Sequence, residues 1–358
     1  MNNHLDIIKK ALKDRGISQK AFAETVGIAS SHLSDILKGR RRITIEFAKK
    51  TEECLEIPAT ILLDLQIKTL SFEEEEAKST LEKFNELISI KTLLKKLGYK
   101  FKNNIEKLKA LNNYYNINSE SLEKFQELYQ GCFRRSSATG MDERMIRTWM
   151  FLAHKASCNL KPKGIYDRSK LSELSKIVSE LLHHNTGSLL KDLEVLLSNY
   201  GIGLIRVDKI NHASIDGYSF FRDNIPYIII TCRYDRIDYL AFTLLHEIGH
   251  LALGHTTPTK SQINLDFRSY DEDSHEEQED AANQYAANCL IPEKDWMFAP
   301  TMPWNPFLIQ EKYTRWSQLK GFNPWIVLGR LSYETGIYKF KSDYKRAISG
   351  GKEVSVMI

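Results

Sequence analysis

The segment LLHEIGHLALGH sets two histidines and a glutamate at His246, Glu247 and His250. On a helix, residues four apart stand one turn apart on the same face, so both imidazoles can converge on one cation. Zinc suits two imidazoles plus one carboxylate and leaves its fourth position to water. Glu247 sits one residue along, where its carboxylate reaches that water without taking a ligand position. There it can accept a proton as water attacks a carbonyl and return it to the leaving amine. The bland alternative is a core helix with satisfied histidines. It struggles with a carboxylate left unpaired among Leu, Ile, Phe and Ala, where burial is costly.

A third ligand is expected from SHEEQEDAANQYAANCLIP, where Glu276, Glu279, Asp280 and Asn283 share one helical face. Glu279 is the chosen ligand and Glu276 the reserve. Asn283 lies one turn beyond Glu279, placed to fix the ring tautomer of a ligating histidine. The other acids read as a solvated helix N-terminus favoured by the dipole. Tyr285, His255, Tyr218 and Arg233 are donors for a tetrahedral oxyanion, and no spacing rule selects among them. His255 reads equally well as an ordinary loop histidine. No G-x-S-x-G elbow, phosphate-binding glycine loop or Cys/His nucleophile pattern competes with the metal reading.

The elements that must carry this chemistry follow from periodicity and punctuation. GIGLIRV, GYSFF and IPYIII are short β-rich runs bounded by Gly, Asp, Asn and Pro, which predicts a small sheet after residue 200. A strongly apolar helix over about 237–253 then holds the motif, and a second over about 274–290 closes at Pro292. A further helix is expected near 324–335, and the tail beyond Lys341 reads as loose. The fold class is therefore α+β, mainly helical with a small sheet and a zincin-like C-terminal domain. The domains are read as 1–66, a helical middle region 67–200, the metal domain 201–345 and a tail 346–358.

Residues 1–66 read as short helices broken by glycine: about 4–15, a second from Ser18 to Val26, about 30–38, one from Thr44, and one from Pro58 to near Gln66. SQKAFAETVGIASSHLSDILKGRRRIT fits a helix-turn-helix. Ala23 is small where helices cross, Gly27 supplies the left-handed turn, and Val26, Leu33 and Ile36 fill the core. Ser30, Ser31 and Asp35 would then face base edges, while Gln19, Lys38, Arg40, Arg41 and Arg42 suit phosphates. The competing reading is a helical bundle whose three arginines are merely solvated. In the middle region, Leu81, Phe84, Leu87, Ile88 and Leu94 fall on one face. That face either pairs two subunits or packs on its own domain.

Bulk properties bound the rest. With 358 residues the chain has room for two or three domains, and a net charge of only +4 requires any nucleic-acid contact to come from a local basic patch. The five cysteines are scattered and never form C-x-x-C, which argues against a disulfide framework or a cysteine-rich zinc finger. The N-terminus carries charges where a signal peptide needs an apolar core, and no apolar run is long enough for a bilayer. A cytoplasmic protein with no membrane contact is expected.

Two resemblances stand on these residues. The stretch from about 5 to 66 resembles the helix-turn-helix domain of XRE-type, lambda-repressor-like regulators, and EIPATILLDLQ resembles its close in HigA-type antitoxins. Residues about 200–340 resemble the ImmA/IrrE metallopeptidases through RIDYLAFTLLHEIGHLALGH, EDAANQYAANCLIP and GFNPWIVLGRLSYETG. The second resemblance implies Zn2+ on His246, His250 and Glu279, with Glu247 as catalytic acid/base. One position departs from the family pattern: Ala281 stands where a second acid is usual. The fusion implies a regulator, expected as a homodimer, that binds double-stranded operator DNA and cleaves a partner protein such as a repressor, regulator or toxin. The alternative is an antitoxin or repressor whose metal domain grips a partner without proteolysis.

Overall fold

The computed structural model describes residues 4–118, 121, 142–184, 187–213, 215–231, 234–258, 272–301, 306–337, 340 and 348. The chain forms two compact units, Met1–Asn85 with Leu94–Ser121, and Glu86–Leu93 with Leu122–Ile358.

In the first unit, α1 (His4–Asp14), α2 (Gln19–Val26), α3 (Ser30–Leu37) and α4 (Ile45–Leu55) enclose a core that includes Ile8, Phe22, Ala23, Val26, Leu33 and Ala48. Ser18 caps α2 by accepting from Ala21 N, and Thr44 caps α4 by accepting from Phe47 N, each at 3.1 Å. Gly27, at φ +71°, turns the chain from α2 into α3, and the N–H of Ile28 returns to Ala23 O at 3.0 Å.

The helix opened by Pro58 does not end near Gln66. It runs without a break as α5 (Ala59–Leu87), because no glycine or proline interrupts it. Gln66 is buried and turned inward, accepting from Ile43 N at 2.8 Å and donating to Ile43 O at 3.1 Å. A polar residue that looks like the exit from a domain is a clamp on the loop before α4. Leu81, Phe84, Leu87 and Ile88 are buried within the chain. They pack on the protein itself. Leu94 does not continue that face, since the helix breaks at Ser89 and the fully buried residue of α6 (Ile90–Leu97) is Leu93. The carboxylate of Glu74 in α5 accepts from the N–H groups of Asn104 and Ile105, holding the open N-terminus of α7 (Asn104–Tyr115).

The second unit holds a sheet of β1 (Gly203–Arg206), β2 (Gly217–Arg222) and β3 (Ile225–Ile230), in the order β1-β3-β2. β1 runs parallel to β3 and β2 antiparallel. Asp223 and Asn224, at φ +53° and +61°, form the two-residue hairpin turn between β2 and β3. Around the sheet lie α8 (Glu143–Ser157), α9 (Leu171–His184), α10 (Leu189–Asn199), α11 (Ile237–Leu253), α12 (Glu272–Leu290), α13 (Glu293–Trp296), α14 (Pro306–Lys320) and α15 (Pro324–Thr335). α11 is apolar nearly all round, with Leu240, Ala241, Leu244, Leu245, Ile248 and Leu251 buried, as a central helix must be. The loose tail expected beyond Lys341 lies outside the described residues, apart from Ile348. Among the described residues no helix is long and apolar enough to cross a membrane, and the described cysteines, Cys54, Cys158 and Cys289, are free.

Two histidines are structural. The ring of His183 accepts from Asn323 N at 3.0 Å and meets Leu290 O at 2.8 Å, so its neutral tautomer ties the ends of α9 and α12 to the start of α15. His154 on α8 stacks on Phe220 at 4.1 Å, on the sheet face turned away from α11. Burial, helped by Arg222, pushes His154 down to about 4. The unfolded chain therefore takes up this proton first, near pH 6.5. The folded state loses stability as pH falls from about 6.5 to about 4, by roughly 3 kcal/mol. Urea melts of the wild type and His154→Phe across that range should show the gap shifting toward the variant by that amount; parallel curves would refute it.

Candidate functional site

The site is built where α11 and α12 pack together beneath β2. His246 and His250 lie one turn apart on α11, with their Nε2 atoms 3.0 Å from each other. Glu279 of α12 completes the group, its two carboxylate oxygens 3.2 Å from His246 Nε2 and 3.3 Å from His250 Nε2. Four ligands about 2.05 Å from a tetrahedral ion stand roughly 3.3 Å from one another. The three side chains already have that spacing, so the donor set fits a small divalent cation.

The outer ring atoms support the same orientation. Asn283 Oδ1 lies 2.9 Å from His246 Nδ1 and accepts its N–H, which leaves the lone pair on Nε2. His250 Nδ1 lies 3.1 Å from His255 Nδ1. Gly254, at φ +76°, turns the chain back at the end of α11 and so delivers His255 to that ring. Arg168 holds this turn, donating from Nε to Ala252 O at 2.9 Å.

Glu247, next to His246 on α11 and within electrostatic reach of both histidines, is only 6% exposed. Its pocket is made by β2: Ser219 hydrogen-bonds to it, and Gly217 leaves the room it occupies. A Cβ at residue 217 would stand 2.6 Å from Glu247 Oε1 and 2.6 Å from Thr243 Cγ2. Ser219 Oγ also lies 3.4 Å from Thr256 Oγ1.

The electrostatics of the cluster divide its two acids. Burial pushes the Glu247 carboxyl above its ordinary value, and His250, His246 and Ser219 do not outweigh it. Burial works in the same direction on Glu279. There the hydrogen bonds from His246 and His250 win and hold the carboxyl well below the usual carboxylate range. Burial also opposes charge on His246, but Glu279 and Glu247, with Asn283, raise it overall. The pocket favours a positive charge among these three side chains.

The structure brings His246, His250, Glu279 and Asn283 together, with Glu247 beside them. Of the oxyanion candidates, Tyr285 packs against Gly249, and its hydroxyl meets Ser175 Oγ at 2.8 Å. His255 stands behind His250, and Tyr218 stacks on Phe220 on the face of the sheet away from α11. Arg233 lies outside the described residues, and the side chain of Glu276 is likewise not described. Sequence reasoning misses Gly217 and Ser219. GYSFF marks a strand but carries no sign that it lies over α11.

In the first unit, Gln19, Ser30, Ser31, Lys38, Arg40, Arg41 and Arg42 are exposed. Asp35 is half-buried and pairs with Arg40 Nη1 at 3.4 Å and Arg41 Nε at 4.0 Å. In the free protein, then, two of the three arginines fold back on the C-terminal end of α3.

A helix-turn-helix unit joined to a two-histidine, one-glutamate centre on adjoining helices defines a regulator-type chain with a metallopeptidase-like domain. Residues 8–62 match the family model described as helix-turn-helix, and residues 203–301 match the one described as IrrE N-terminal-like domain, a peptidase family. The chain thus carries one segment similar to XRE-type helix-turn-helix domains and one similar to the IrrE/ImmA family, the latter containing His246, Glu247, His250 and Glu279. Neither a curated protein nor a solved structure matches the chain.

Proposed function

We propose that the protein is a DNA-binding regulator whose second unit is a zinc-dependent endopeptidase cleaving one partner protein, a repressor, regulator or toxin. The observation that carries this is the placement of Glu247, buried beside the His246–His250–Glu279 cluster yet not part of it. A purely structural metal site has no use for such an acid. When bound, the ion polarises the scissile carbonyl and acidifies water. His246, His250 and Glu279 hold the ion, and Asn283 and His255 fix the two rings. Glu247 takes a proton from the attacking water and passes it to the leaving amine, while Ser219 orients its carboxylate. Tyr285, bound to Ser175, spaces α12 from Gly249 in this reading, and of the oxyanion candidates His255 is the one whose ring meets that of a ligand, His250.

DNA binding concentrates the peptidase at the operators where its targets sit. A homodimer belongs to this reading, because paired half-sites are matched by paired recognition helices. The test is a comparison of new protein N-termini in cells carrying the wild type or Glu247→Gln. Termini that depend on Glu247 identify the substrate. Identical termini, with metal and DNA binding kept, leave a binding module and no peptidase. At the other end, changing Arg40, Arg41 and Arg42 to Ala should weaken binding to all duplexes alike. It should also flatten the salt dependence, by about 0.9 for each phosphate no longer neutralised. An unchanged salt slope in fluorescence anisotropy would move the DNA surface elsewhere.

A further inference from the structure

The positive charge of the chain is concentrated far from the three arginines in sequence. Between residues 94 and 109 stand six lysines and one glutamate, a net of +5 where the whole chain carries +4. Lys95, Lys96, Lys100, Lys102 and Lys109 are exposed. Among the described residues no carboxylate pairs with Lys95, Lys100, Lys102 or Lys109. The one acid of this segment, Glu106, is engaged by the backbone, accepting from Lys102 N at 2.9 Å, and so is Glu74 of α5, which accepts from Asn104 N and Ile105 N. Two tyrosines stand among these lysines, Tyr99 at 64% and Tyr114 at 55% exposure, hydrogen-bonded to each other. The ring of Tyr99 meets Phe101 edge-on at 6.5 Å. Two large aromatic side chains thus stand in water beside four lysines that no described carboxylate pairs.

We infer that the surface formed by the end of α6, the loop 98–103 and α7 is a second DNA contact that grips the phosphate backbone of a duplex. Lysines supply sequence-independent affinity through counterion release, and tyrosine hydroxyls are common donors to phosphate oxygens. The occupant is DNA because the surface lies in the same compact unit as the helix-turn-helix. A chain with so small a net charge has little other means of long-range attraction to a polyanion. The inference rests on the DNA-binding part of the proposed function, and the controls separate the two.

The experiment uses full-length protein with Lys95, Lys96, Lys100 and Lys102 changed to Ala, alongside the wild type and the Arg40–Arg42 variant. Each is titrated against a mixed-sequence DNA duplex over a range of salt. All four lysines are exposed, so the variant should fold, which circular dichroism checks. The expected result is at least a tenfold loss of affinity near physiological salt and a salt slope shallower by about 2 to 4, from about 0.9 for each phosphate released. Wild-type affinity and slope in the lysine variant overturn the inference. So does a loss confined to anionic lipid vesicles with DNA binding intact. A wild type that binds no duplex at all overturns the DNA reading along with it.

Discussion

Replacing Glu247 with Gln is expected to lower peptide-bond hydrolysis by about two to four orders of magnitude while leaving the metal in place. The amide keeps the volume of the carboxyl and so respects the tight space under Gly217 and Ser219. It cannot accept a proton from water at neutral pH. The three ligand side chains are untouched, so metal content should stay at one equivalent, measured by mass spectrometry of the intact metalloprotein. Cleavage of a peptide library, read by mass spectrometry, reports the rate. A variant as fast as the wild type would remove Glu247 from the chemistry. Loss of metal would instead make it a member of the coordination shell.

Glu279→Ala is expected to do the opposite, emptying the centre while leaving the helix intact. Alanine is the best helix former, and residue 279 is only half-buried, so α12 should persist. Its carboxylate oxygens, however, are what draws the two Nε2 atoms into one cluster. Outer partners of ligating histidines already cost 10–100-fold in affinity when removed, and loss of a direct ligand should exceed that. Metal content should fall below about a tenth of an equivalent after dialysis against a weak chelator, with wild-type helicity by circular dichroism. A variant that keeps its metal, paired with Glu276→Ala that loses it, would transfer the role to Glu276.

The legible parts of this protein are those carried by local chemistry. Ser18, Gly27 and Thr44 announce their caps and turn because each acts on backbone groups within a few residues. His246 and His250 declare a shared face for the same reason, and the helical spacing of Glu279 and Asn283 places both on the side that meets α11. Gln66 misleads because a buried amide can serve as a clamp on a distant loop, and side-chain polarity alone does not distinguish that from an exposed helix end. Leu94 falls off its expected face because a break at Ser89 resets the helical phase. Gly217 and Ser219 are illegible for another reason. Their roles arise when β2 lies over a helix about thirty residues later in the chain, and no periodicity encodes that juxtaposition.

The ligands also come from points well separated along the chain, His250 near the end of α11 and Glu279 within α12. An ion shared by them acts as a reversible cross-link that closes a loop of about thirty residues. By the chain-entropy argument used for disulfides, such a closure restricts the unfolded chain by about 3.5 kcal/mol. If the second unit is the peptidase proposed above, catalytic competence and thermal endurance are tied to one small ligand. Cellular scarcity of that ligand would then both silence it and shorten the lifetime of the protein that carries it.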